Sequence, residues 1–179
     1  MLSWDVQAGD LYTDRNSASV LTTEAPKGDY VVETRVKLNL LPEGCCFTHV
    51  QAGLVLDGDD DNFIKLTEVS IWETRQTELA KELFPVPTGW SLYGNTVVGP
   101  PADPWTSLRI VVERLDGRER REAGDDTERY TAYTSQDGVT WVRGGAWTHH
   151  LGGARIGLVS MGGAGFTAQF DHVRVSRVR

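Results

Sequence analysis

The sequence predicts an all-β fold in which two antiparallel sheets pack as a sandwich. Three observations carry that expectation. Two-residue alternation recurs in short stretches, turn residues punctuate those stretches, and none shows the 3.6-residue apolar period of a helix. Nineteen Gly and seven Pro in 179 residues supply the turns. Leu, Ile, Val and Phe make up about a quarter of the chain, above the level of a disordered segment. That length and core content suit one domain spanning residues 1–179.

The first clear strand holds Tyr30, Val32, Thr34, Val36 and Leu38 on one face and Val31, Glu33, Arg35 and Lys37 on the other. Residues 50–56 form the next. The acidic run from Asp57 to Asn62 has the composition of a calcium loop but lacks a closing bidentate carboxylate, because Ile64, Lys65 and Leu66 already belong to a strand. It is expected to be a hairpin turn. Residues 63–78 follow as one long or broken strand, and residues 79–104 as a long loop insertion. Five of the seven Pro fall between Phe84 and Pro104. Loops of that length are uncommon unless functional.

Leu108, Ile110 and Val112 mark another strand, and Tyr130, Ala132 and Thr134 its neighbour. Asp116-Gly117 and the mixed charges of Arg118 to Glu122 between them are expected to be a solvated hairpin tip. Asp137-Gly138 supplies a tight turn with Trp141 beneath it. The stretch resembles the Asp-box hairpin of sialidase-like propellers but is one residue short, and it occurs once. Strands at 140–148 and 156–161 come next. Phe166, Ala168 and Phe170 share one parity and Val173 and Val175 the other, which predicts a bulge between Asp171 and His172. About ten strands result, too many for one sheet to hide its apolar face.

The net charge of −7 argues against a sequence-independent grip on nucleic acid or on an anionic membrane. No apolar run approaches a membrane span, and no signal-peptide pattern opens the chain, as is also true of a mature secreted domain. Motifs for nucleophilic, phosphate-binding or metal-dependent chemistry are missing. His149 and His150 are adjacent and point to opposite faces of a strand. Glu68, Glu73 and Glu78 recur at fives, which also alternates faces and pairs no two carboxylates across a sugar bond. No catalytic residue, metal ligand or cofactor is assigned, and a structural calcium near Asp171 is left open. Cys45 and Cys46 are neighbours, compatible with a vicinal disulfide or with two thiols.

Aromatic residues are the best candidates for a function. Trp72, Trp90, Tyr93, Trp105 and Trp147 lie near loops or strand ends. A ring covers the C–H face of a sugar while polar side chains read its hydroxyls. Trp72 is followed by Glu73, Thr74, Arg75 and Gln76, a ring beside polar readers. The candidate carbohydrate-binding residues are therefore Trp72, Arg75, Gln76, Trp90, Tyr93 and Trp147. Of these, Trp72, Arg75, Trp90 and Tyr93 are expected to line one open groove.

Four stretches carry a family resemblance: Gln51 to Leu56, Gly58 to Leu66, Tyr130 to Trp141, and Phe170-Asp171-His172-Val173-Arg174-Val175. They resemble a concanavalin A-like jelly roll. Their order is similar to the C-terminal β-sandwich of family 43 glycoside hydrolases of the xylosidase and arabinofuranosidase kind, and to related domains of secreted bacterial carbohydrate-active proteins. The resemblance covers nearly the whole chain and implies fold before ligand. It implies a secreted, non-catalytic accessory module that binds a plant or microbial polysaccharide such as arabinan or xylan, or docks on a catalytic propeller of the same parent chain. It also implies that the start at Met1-Leu2-Ser3-Trp4-Asp5 comes where such domains have an earlier strand. A stand-alone glycosidase or lyase is the third alternative.

Overall fold

The computed structural model describes residues 1–40, 49–101, 104–124 and 126–178. The Cys45-Cys46 pair lies outside the described residues. In chain order the elements are β1 (Leu2–Asp5), β2 (Leu11–Tyr12), β3 (Arg15–Asn16), β4 (Ser19–Glu24), β5 (Tyr30–Leu38), β6 (Gln51–Asp59) and β7 (Asn62–Ile71). There follow β8 (Thr74–Glu82), β9 (Tyr93–Gly99), β10 (Thr106–Arg114), α1 (Gly117–Glu122), β11 (Glu128–Ser135), β12 (Val142–His149), β13 (Arg155–Met161) and β14 (Thr167–Arg177).

Two six-stranded antiparallel sheets form the sandwich. The first runs β1-β14-β5-β10-β11-β12 and the second β4-β13-β6-β7-β8-β9, with β2 and β3 as a separate hairpin. Alternation positions the core: Tyr30, Val32, Thr34, Val36 and Leu38 of β5 are all buried. Tyr30, Val32, Val36 and Leu38 meet Leu54, Leu56, Ile64, Leu66 and Leu79 of the second sheet in one apolar cluster. The register of β14 against β5 shifts between Phe170 and Val173, where the parity change placed a bulge.

Strands β6 and β7 do not alternate, because both of their faces are covered. A second cluster, Leu11 with Val55, Phe63, Val159 and Met161, sits on the outer face of the second sheet under the N-terminal segment. The sequence signal is the unbroken apolar pair of runs Leu54-Val55-Leu56 and Phe63-Ile64, the pattern of strands buried on both sides.

The structure sharpens two expectations and corrects a third. Residues 63–78, expected as one long or broken strand, are broken: β7 ends at Ile71 and β8 begins at Thr74. The two-residue turn holds Trp72 at φ 51° and Glu73 at φ 59°, positions at which hairpins of this kind ordinarily place Asn and Gly. Residues 79–104 are not one loop, since β8 runs to Glu82 and β9 occupies Tyr93–Gly99. Only residues 83–92 connect them, and the Gly and Asn that read as loop lie on an edge strand. Residues 117–122 lie, as expected, in the solvated tip of the β10–β11 hairpin, where they form a helical turn. Asp116 caps it, accepting from Arg118 and Glu119 N–H, and the Glu119 carboxylate accepts in return from Asp116 N–H.

One flank of the sandwich is open. Val173 and Val175 pair with the buried Val32 and Thr34 and so point between the sheets, yet stay 46% and 39% exposed. Leu21 on the edge strand β4 faces the same gap and is 58% exposed.

Candidate binding cleft

The outer face of the second sheet carries a cleft of about 540 Å³. Its floor comes from alternate residues of β6 to β9, and register explains which ones. Gln51 lies opposite Val69, Lys65 opposite Ala80, and Ala80 opposite Asn95, so these side chains share a face. Glu78 stands on that face two residues from Ala80.

The floor is polar and organised. The Glu78 carboxylate accepts from the Tyr93 hydroxyl and from Asn95 Nδ2, each at 3.1 Å. Burial first, then the charge of Glu78, raises the pKa of the Tyr93 hydroxyl and keeps it a donor. Thr67 Oγ1 donates to Gln51 Oε1 at 3.3 Å. Lys65 is 1% exposed, donates from Nζ to Leu11 O at 3.1 Å, and lies 5.3 Å from the Tyr93 ring centre. Burial lowers its pKa to about 8, against the opposing pull of Glu78, Asp10 and Glu82.

The wall of the cleft is the β2–β3 hairpin. Tyr12 meets Tyr93 edge-on with ring centres 4.8 Å apart, a geometry that the ring quadrupoles favour. Thr13 N–H donates to the Glu82 carboxylate at 2.7 Å. Asp10, Arg15 and His49 complete the rim. The arrangement offers a ring, fixed acceptors and fixed donors within one concavity, which is what reading a hydroxylated ligand requires.

The six predicted residues do not gather in one groove. Tyr93 lines the cleft. Gln76 pairs with Val69 and so shares the cleft's face. Trp72 stands at the tip of the β7–β8 turn, 74% exposed, next to the cleft residue Ile71. Arg75 points to the opposite face, toward the buried Glu68 at 3.7 Å. Trp90 is 68% exposed in the β8–β9 connection, with Lys81 Nζ 6.0 Å from its ring. It lies at the far end of β8 from Trp72, nine residues or roughly 30 Å of strand away. Trp147 belongs to the other sheet and packs against the main core.

Sequence reasoning missed Tyr12, Gln51, Lys65, Glu78 and Asn95. Glu78 was weighed only as half of a catalytic pair, and Lys65 as an ordinary strand residue. The usable signal was Lys65 set between the apolar pair Phe63-Ile64 and Leu66, where a charge needs a specific partner. A larger groove of about 640 Å³ opens at one end of the sandwich, between Tyr30, Tyr130 and Arg155. Its two tyrosine rings belong to the main core, so it presents no free ring face. Among the described residues no group of three or more His, Cys, Asp or Glu is placed to hold a metal ion.

No family model and no curated protein matches the chain. Solved structures do match. The GH43 protein BlXynB from Bacillus licheniformis superposes with a TM-score of 0.70 over 98% of this chain and 32% of its own, at 15% identity. A xylan beta-1,4-xylosidase from Bacillus Halodurans C-125 gives 0.63 over 90% and 30%, at 15% identity. A legume lectin-like domain from Entamoeba histolytica gives 0.59 over 97% and 82%, at 9% identity.

The fold is a lectin-like β-sandwich. At these identities the likeness establishes that and nothing finer. The chain spans about a third of the length of BlXynB.

Proposed function

We propose that the chain is a non-catalytic carbohydrate-binding or accessory module of a secreted polysaccharide-degrading glycoside hydrolase, with sugar held in the β6–β9 cleft. The observation that carries this is the union of the Tyr12–Tyr93 wall with Glu78, Asn95 and Gln51 on one floor. Rings stack on the C–H face of a sugar unit and the floor reads its hydroxyls, each aromatic contact contributing roughly 1 kcal/mol. Overall affinity is weak, because ordering the ligand offsets most of that gain. Gln76 and Trp72 extend the face beyond the cleft, while Trp90, Arg75 and Trp147 drop out of the site.

Pull-down on insoluble arabinoxylan, arabinan, galactan and cellulose tests the proposal. Retention on one polymer, reduced in a Tyr93→Ala variant that remains folded, supports it; absence of retention on all four overturns it. One observation favours a second reading, docking on a catalytic propeller: the open flank where Leu21, Val173 and Val175 stay exposed. That reading predicts a higher Tm on co-expression with the propeller and no response to sugar.

A further inference from the structure

We infer that the groove at the end of the sandwich is a second ligand site, built for one neutral polyol ring such as a single sugar unit. It shares no lining residue with the β6–β9 cleft and stands independently of the function proposed for that cleft.

The inner face of the first sheet changes character where the groove begins. Along β10 the inward positions run Leu108, Ile110, Val112 and then Arg114, and along β11 they run Thr134, Ala132, Tyr130 and then Glu128. Arg114 and Glu128 lie opposite each other in register, just beyond the row Tyr30–Val112–Tyr130 that ends the core. No strand of the second sheet meets them. There β4 has ended at Glu24 and β13 begins only at Arg155. The turns that take their place line the groove with Ala25, Pro26, Gly28, Gly152, Gly153 and Ala154, which carry little or no side chain. A Cβ added at Gly28 or Gly153 would meet nothing within 4 Å. The space left is about 640 Å³, inside the range of roughly 300–1,000 Å³ common to small-molecule sites.

Tyr30 turns this space into a site. The residue is 4% exposed and its ring belongs to the core cluster, so the part that lines the groove is the hydroxyl end. Among the described residues that hydroxyl has no hydrogen-bond partner, whereas buried polar groups ordinarily have one. Burial first, then the charge of Glu128, raises its pKa and keeps it a donor. The Glu128 carboxylate supplies the acceptor, held in place by Thr127 Oγ1, which donates to Oε2. The lining charges nearly balance. Arg114 faces Glu128, and Arg155 stands between Glu24 and Asp57 in register, with Lys27 as the remaining cation. That balance disfavours an ionic ligand, and two rings packed into the core disfavour a stacked aromatic one. A donor, an acceptor and the small apolar surface of Ala25, Val112 and Leu151 remain. A saturated ring bearing hydroxyls matches them: one hydroxyl accepts from Tyr30, another donates to Glu128, and the C–H edge rests on the apolar surface.

Titration of the ¹⁵N-labelled chain with xylose, arabinose, galactose and myo-inositol tests the inference. The expected result is saturable shifts of the Gly28, Gly152 and Gly153 amides with at least one of these probes. Tyr30→Phe keeps the ring and removes the hydroxyl, so it should weaken that binding about fivefold. In the free protein the same variant should leave the urea midpoint unchanged, because no internal bond is lost. A lowered midpoint would show that the hydroxyl already has a partner and would overturn the inference, as would an unchanged affinity in the folded variant. Shifts confined to Gln51, Tyr93 and Asn95 also overturn it while leaving the β6–β9 reading intact. No shift with any of the four probes overturns it as well, and polysaccharide retention then decides the cleft separately.

Discussion

Replacing Tyr93 by Phe removes one hydroxyl and leaves the ring, which isolates the contribution of the cleft floor. In the structure that hydroxyl donates at 3.1 Å to a Glu78 side chain whose residue is 5% exposed. Asn95 Nδ2 is the other donor to the same carboxylate. A hydrogen bond to a charged group contributes about 1.5–3 kcal/mol, and a buried acceptor deprived of its donor keeps the full desolvation penalty. Tyr93→Phe should therefore cost about 2 kcal/mol. With a urea m-value of about 2 kcal/mol/M, the unfolding midpoint falls by about 1 M with the slope unchanged. The edge-on contact with Tyr12 and the stacking surface both survive, so polysaccharide retention should persist in the folded variant. In a Glu78→Ala background the same substitution should cost far less, because the acceptor has gone. A midpoint unchanged by Tyr93→Phe would refute the reasoning, since it would mean that Glu78 is satisfied by solvent and that the floor is not organised before ligand arrives.

Lys65 gives a pH signature. Its folded pKa of about 8 lies below that of the unfolded chain, so between about pH 8 and 10 the unfolded state binds more protons and stability rises with pH, on the order of 1 kcal/mol per unit. Denaturant midpoints measured from pH 7.5 to 9.5 should climb, and Lys65→Met should flatten the climb; an identical slope in the variant contradicts the assignment. The strained β7–β8 turn makes a second case. Exchanging Trp72-Glu73 for Asn-Gly relieves two left-handed residues, at roughly 1 kcal/mol each, partly offset by the backbone entropy of Gly. Thermal unfolding should show net stabilisation of about 1 kcal/mol together with weaker retention of long glycans, and a lower Tm would refute the strain. Contact between the sheets is probed at Gly144, where an added Cβ would lie 2.2 Å from Val98 Cγ1. Gly144→Ala should cost about 2 kcal/mol through overpacking, and Val98→Ala should recover part of it, measured as a double-mutant cycle in urea.

Much of the sandwich was legible because period-two alternation is a local record of a half-buried strand. The record of β5 names its buried face residue by residue, and the parity change after Phe170 located the bulge. The failures have physical causes. Trp72 and Glu73 occupy positive φ without the Gly or Asn that advertises a turn, so the sequence left open whether the stretch was one strand or broken and gave no place for the break. Strand β9 is an edge strand whose Gly94, Asn95 and Gly99 are loop residues by composition. The site was harder still, because it is made by the fold-back of an N-terminal hairpin onto strands 50 or more residues away, a contact that leaves no periodic trace. Tyr93, named as an aromatic residue near a loop or strand end, lines the cleft. Its partners Tyr12, Glu78 and Asn95 become a site only through sheet register and that hairpin.

Chemical-shift mapping of the ¹⁵N-labelled chain with the glycan that retains it tests the central claim most directly. The account predicts saturable shifts confined to Tyr12, Gln51, Glu78, Tyr93 and Asn95 and extending to Ile71 and Trp72. Shifts confined instead to the Leu21–Val173 flank, or none at saturating glycan, would contradict it.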